Sequence, residues 1–156
     1  MDLFARMTAY EYGEVHVRVD AATGLRAIVA IHDSRLGPAL GGCRFISYVD
    51  EAAAFTDALR LARGMTYKAA LAGLAHGGGK SVLVRPDGPF DREALFRAFG
   101  RFVRDLGGRY ITAEDSGTSL QDMETIRTET KHVTGIDPSH GGSGDPSPFT
   151  AYGTLQ

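Results

Sequence analysis

Valines at positions 15, 17 and 19 alternate with polar residues, the two-residue period of a strand with one buried face. Asp20-Ala-Ala-Thr-Gly24 is turn-like, and Leu25 to Ile31 is a nearly continuous apolar run, so the two segments are expected to form a hairpin leading into a more buried strand. Gly41 to Phe45 predicts a further strand beyond Pro38. From Asp50 the period lengthens. Phe55, Ala58, Leu59, Ala62 and Met65 recur at helical spacing behind Asp50 as a cap, predicting a helix to about Leu71. Ser81 to Val84 predicts a strand ended by Pro86-Asp-Gly. Asp91 caps a second helix with Leu95, Phe96, Phe99, Phe102, Val103 and Leu106 on its apolar face, closed by Gly107-Gly108. Tyr110 to Ala113 is a short strand, and Ser119-x-x-Asp122 is a capping box for a third helix through Thr128. Strands alternating with helices after an opening hairpin predict a single α/β layered domain, a mixed β-sheet flanked by helices, over residues 1–140. The segment 141–156 reads as a linker, Gly141 to Pro148, followed by the start of a helix that stops without a terminating signal.

Composition narrows the function classes. A chain of 156 residues, 43% hydrophobic and 23% charged, is long enough for one real core and ordinary for a globular domain. A net charge of −2 offers no field to recruit nucleic acid or an acidic membrane. No run approaches the roughly 20 apolar residues of a membrane span, and the N-terminus has no secretory signal character. The single cysteine, Cys43, rules out an intramolecular disulfide and a cysteine-built zinc site, which fits a reducing, cytoplasmic setting. Glycine is the unusual count: 20 residues, clustered at 41–42, 77–79, 107–108 and 141–144, where backbone is expected to come close to something.

The segment Gly73-Leu-Ala-His-Gly-Gly-Gly79-Lys80-Ser81 ends like a phosphate-binding P-loop, but that motif requires glycine at 74, where Leu74 stands. The order of elements is also wrong, because this loop follows a helix and opens a strand. What remains is Lys80, presented by three glycines at a strand edge where a small ligand can approach the backbone. In a confined site near another cation such a lysine loses proton affinity and acts as a base near neutral pH. The tripeptide alone is equally a glycine-rich turn beside a solvated lysine. Lys68 shares a helix face with Met65, and on an inward face it needs an anionic partner, from the protein or from a ligand; otherwise it is a surface lysine packed by its stem. Asp115 follows a strand at its carboxyl end, where α/β domains commonly bind ligands, although a loop cap reads the same way. The five histidines have no ligand spacing, so no metal is expected. Cys43 reads as a small buried side chain.

Five segments occur in one order: Gly37-Pro-Ala-Leu-Gly-Gly-Cys-Arg-Phe45, Asp57-Ala-Leu-Arg-Leu-Ala-Arg-Gly-Met-Thr-Tyr-Lys68, Gly77-Gly-Gly-Lys80, Gly108-Arg-Tyr-Ile-Thr-Ala-Glu-Asp115 and Gly144-Asp-Pro-Ser-Pro148. Together they resemble the N-terminal domain of the leucine/phenylalanine/valine dehydrogenases, relatives of glutamate dehydrogenase. The resemblance implies a reversible NAD-dependent oxidative deamination of an L-amino acid to a 2-oxo acid and ammonia. It gives Lys68 the substrate carboxylate, Lys80 the activation of water, and Asp115 proton transfer at the amino group. Gly41 and Gly42 shape the substrate site, Met65 and Thr134 lie around it, and a homo-oligomer is expected.

Glutamate dehydrogenases carry a lysine where this chain has Leu40, so the resemblance implies an apolar substrate, branched-chain or aromatic, with Ala113 as another pocket wall. Family members continue into a Rossmann domain with a glycine-rich nucleotide turn, and no G-x-G-x-x-G occurs here. The expectation is therefore a catalytic half with the cofactor-binding half missing and negligible turnover alone, NAD (or NADP) being held mainly by the absent half. The alternative is a non-catalytic amino-acid-binding or oligomerisation module derived from that family.

Overall fold

The computed structural model describes residues 2–142, 144 and 147–154. A short helix, α1 (Leu3–Ala9), precedes the expected hairpin. In that hairpin β1 (Glu14–Asp20) pairs antiparallel with β2 (Leu25–Asp33), Glu14 opposite Ile31 and Asp20 opposite Leu25. Then follow β3 (Ala39–Ile46), α2 (Glu51–Leu71), β4 (Gly77–Val84), α3 (Arg92–Asp105), β5 (Tyr110–Glu114) and α4 (Leu120–Arg127). The sheet is mixed, in the order β1-β2-β4-β3-β5: β2 and β4 are antiparallel, while β4, β3 and β5 run parallel.

Capping residues set the helix starts. Asp50 accepts from the Ala53 N–H at 2.7 Å and Asp91 from the Ala94 N–H at 3.0 Å. Ser119 and Asp122 complete both halves of the capping box at α4. Each helix then buries one stripe. Leu95, Phe96, Phe99, Phe102 and Val103 of α3 join Met123 and Ile126 of α4 over Val29, Cys43, Phe45 and Leu83 on one sheet face. On the other face α2 lays Ala54, Ala58, Leu59 and Ala62 over Ile28, Ala30 and Val82. Four small or branched contacts of this kind bring α2 very close to β4.

That closeness corrects the reading of Gly77–Gly79. These glycines form no loop at a strand edge; they begin β4, the central strand of five. A Cβ at Gly78 would come within 2.6 Å of the Thr66 Cα in α2, and one at Gly79 within 2.8 Å of the Tyr110 ring; one at Gly77 would strike the Asp33 carbonyl. The missing side chains make room for the protein's own backbone and core, and Lys80 is consequently an interior residue of a central strand.

Periodicity did not assign α1, whose seven residues include none that is buried. At the other end α5 (Ser147–Thr154) begins two residues before the expected Phe149. The expected tail also includes residues 143, 145, 146, 155 and 156, which lie outside the described ones. No helix among the described residues is long and apolar enough to cross a membrane.

Candidate active site

Alternation along β3 places Leu40, Gly42 and Arg44 on one face. They open onto a cleft of about 790 Å³, whose walls also include Met65 and Lys68 from α2 and Ala113 and Asp115 from the end of β5. Gly41 lines it too. The cleft thus gathers most of the residues singled out in the sequence. Thr134 is not part of its lining: its N–H bonds the Thr112 carbonyl at 2.8 Å, beside β5.

Lys80 lies beneath the cleft, 3% exposed, and its Nζ donates to Oδ2 of Asp115. The two come from β4 and from the turn after β5, with β3 between them. They meet because the intervening residue is Gly42, where a Cβ would sit 2.7 Å from both Cβ and Oδ2 of Asp115. Gly41 is needed for another reason: a Cβ there would collide with the Gly79 carbonyl. Its own carbonyl accepts from the Tyr110 hydroxyl at 2.6 Å, and Ser81 Oγ lies 3.0 Å from the same hydroxyl. The floor is therefore held from below by a buried tyrosine.

Asp115 has three donors. Besides Lys80, Arg44 Nε reaches Oδ1 at 3.1 Å and the Ser116 N–H reaches it at 2.7 Å. Arg44 extends the chain of charges outward, its Nη1 lying 2.8 Å from Asp57 Oδ2, which Tyr48 also donates to at 2.8 Å. Arg60 takes the other oxygen of Asp57 at 2.9 Å. Lys80, Asp115, Arg44 and Asp57 thus alternate in sign, one buried and three half-buried charges each facing an opposite one. Residue-by-residue reading of the sequence missed Arg44, Asp57 and Tyr48. The signal for Arg44 was present, two residues beyond Gly42 on the same strand face; for Asp57 and Tyr48 nothing local pointed to the site.

The environment tunes both members of the central pair. Burial, foremost, pulls the Lys80 ammonium below the ordinary lysine range; Asp115 opposes this and the nearby Arg44 charge reinforces it. Burial works to raise the Asp115 carboxyl, but hydrogen bonding and charge from Lys80, with the Ser116 N–H and Arg44, outweigh it and hold the group below the usual carboxylate range. The result is an amine that releases its proton more readily than a free lysine, beside a carboxylate that stays ionised. Lys68 contrasts with it, exposed on the cleft wall, and its ammonium finds no ion-pair or hydrogen-bond partner among the described residues.

A pH test follows from Asp115. Its folded pKa lies below the ordinary aspartate value of about 3.9, so the stabilisation is complete above that value and disappears as pH falls through the folded one. Urea midpoints of the native chain are therefore expected to drop steeply on this acid limb. Asp115→Asn should start about 3 kcal/mol less stable at pH 7, because Lys80 loses its counter-charge, and should show a shallower limb. Parallel limbs in the two proteins would remove Asp115 from the account.

The remaining candidates are structural. Cys43 is fully buried, and burial pushes its thiol up to about 12. His32 is fixed by the Thr66 hydroxyl at 2.9 Å and the Tyr10 carbonyl at 3.0 Å. Among the described residues no group of three His, Cys, Asp or Glu is placed to hold a metal.

Residues 11–132 match the model of the Glu/Leu/Phe/Val dehydrogenase dimerisation domain. The chain belongs to this family. Its family relatives include the leucine dehydrogenases of Bacillus subtilis (strain 168), 56% identical, and Geobacillus stearothermophilus, 58% identical, both over all 156 residues. These matches span 43% and 42% of the relatives' own lengths, so the chain covers less than half of the curated proteins it resembles. A valine dehydrogenase of Streptomyces coelicolor is 52% identical over 88% of this chain and 38% of its own. Among solved structures, the L-tryptophan dehydrogenase from Nostoc punctiforme superposes with a TM-score of 0.79 at 44% identity, over 84% of this chain and 38% of that one.

Proposed function

We propose that this chain forms the amino-acid-binding and proton-transferring part of a dehydrogenase that interconverts an apolar L-amino acid with its 2-oxo acid and ammonia. The observation that carries the proposal is the pairing of buried Lys80 with half-buried Asp115 under a cleft whose wall presents Lys68, a cation without a partner among the described residues. In this reading Lys68 takes the substrate carboxylate, which supplies an anion that the described residues do not. Lys80 Nζ, in its neutral form, accepts a proton from the water that attacks the imino carbon, and Asp115, hydrogen-bonded to that Nζ, relays this proton to the amino group as ammonia departs. Leu40, Met65 and Ala113 surround an apolar side chain, and the branched-chain or aromatic class agrees with the names of the relatives. Gly41 and Gly42 shape the floor, and Thr134, bonded alongside β5 and not part of the cleft lining, is kept at the margin of the substrate site.

The acceptor, NAD or NADP, takes up the hydride when bound. None of the described residues forms the glycine turn between strand and helix that cradles a dinucleotide, so they do not fit it, and its binding is assigned to residues outside them. Residues 1–140 are taken as the functional unit and 141–156 as the segment leading out of it. A homo-oligomer is the expected state, supported by the edge position of β1 and the exposure of Val17 and Val19 on it. A cytoplasmic location is supported by the single, buried, unpaired cysteine.

Calorimetric titration of the chain with a branched-chain 2-oxo acid tests the cleft. Saturable binding is expected, weakened about 10–100-fold by Lys68→Met through loss of one charge-assisted contact. Equal affinity in the variant would refute the carboxylate assignment. Mixing the chain with a separate nicotinamide-binding half tests catalysis, since a module that only binds would give no turnover.

A further inference from the structure

A second cavity, of about 380 Å³, lies on a different face of α2 and shares no lining residue with the cleft. Arg6, Arg60 and Arg63 line it together with Tyr10, Tyr12 and Tyr67, and among the described residues no carboxylate joins the lining. Arg60 is neutralised by Asp57 at its edge, at 2.9 Å. The other two guanidiniums have neutral partners: Arg6 donates to the Thr56 hydroxyl at 3.3 Å and Arg63 to the Tyr67 oxygen at 2.8 Å. Arg63 is further held 4.6 Å from the ring centre of Tyr10 and 5.4 Å from that of Tyr67. The chain as a whole carries more acidic than basic residues, 19 against 17, so an acid-free cluster of three arginines is no consequence of a basic composition.

We propose that this pocket binds a small dianion, a phosphate group or a dicarboxylate, clasped between Arg6 of α1 and Arg63 of α2. Two uncompensated guanidiniums match two negative charges, and each presents paired N–H donors to a planar or tetrahedral oxyanion. Arg63 is already oriented by two tyrosine rings, so little freedom remains for binding to remove. The ligand would also tie down α1. That helix has no buried residue and is joined to α2 at this pocket by the Arg6–Thr56 bond and the stacking of Tyr10 on Arg63.

The test is titration of the chain at pH 8 with sodium phosphate and, separately, sodium succinate, each against sodium chloride at matched ionic strength, because screening alone mimics weak binding. A saturable heat and a slowing of amide exchange in α1 are expected with at least one of the dianions. Arg6→Gln and Arg63→Gln should each weaken binding about tenfold; Arg6 is exposed on a peripheral helix, so its variant keeps the fold intact even if Arg63→Gln does not. A response to phosphate alone identifies a phosphate group, to succinate alone a dicarboxylate, and to both a site for either. Responses no larger than with chloride, or unchanged in Arg6→Gln, overturn the proposal.

Discussion

Replacing Lys80 with methionine is expected to lower kcat by about 10²–10⁴-fold once the chain is supplied with a nicotinamide-binding half, the range over which a positioned general base acts. The substitution also leaves Asp115 with two of its three donors, so some stability is lost with the activity. Lys80→Arg separates the two effects. A guanidinium keeps a positive charge opposite Asp115 but stays protonated at every accessible pH, so it retains the ion pair and cannot accept a proton. Stability near that of the native chain with activity as low as in the methionine variant is the expected outcome. If Lys80→Arg were fully active, Lys80 would be a structural cation and the water-activating role would be lost. With that half supplied, the unsubstituted chain should show a rise of kcat/KM with pH centred below the ordinary lysine range, because burial favours the neutral amine.

The elements themselves were largely legible because their signals are local. The Asp50 and Asp91 caps and the Ser119/Asp122 box each act within a few residues and mark helices that the structure contains; valine alternation marks β1, but the face expected to be buried leaves Val17 55% and Val19 66% exposed. The order of strands was not legible, and with it went the meaning of the glycines. Gly42 reads only as a place for a ligand until β3 is known to lie between Lys80 and Asp115, where its missing side chain also lets that pair meet. Gly78 and Gly79 read as a loop until α2 and Tyr110 are seen against them. For Lys68 the shared stripe with Met65 left an inward and a surface position both open, and the structure exposes it on the cleft wall. Arg44 escaped notice because its two partners, Asp57 and Asp115, are 13 and 71 positions away. A charge network built across three elements leaves almost no trace in any one of them.

Leu40→Lys is expected to shift the ratio of kcat/KM for glutamate over leucine upward by about 10²–10³-fold. Leu40 lies on the same β3 face as Gly42 and Arg44, and the cleft there already holds the Lys68 and Arg44 charges above a buried Lys80. An apolar substrate would leave the added ammonium without a counter-charge in a partly desolvated site, a cost of several kcal/mol, whereas a substrate with a second carboxylate would supply one. Each 1.4 kcal/mol is tenfold, which sets the expected range. Most of the shift should come from loss of leucine turnover, because the added ammonium is left without a counter-charge when an apolar substrate is bound. Leu40→Met is the control: it keeps the pocket apolar at similar volume and should leave the ratio within a few-fold of native. An unchanged ratio in the lysine variant would mean that the substrate side chain does not point at residue 40. The proposed apolar selectivity would then have to come from Met65 and Ala113, which also line the cleft.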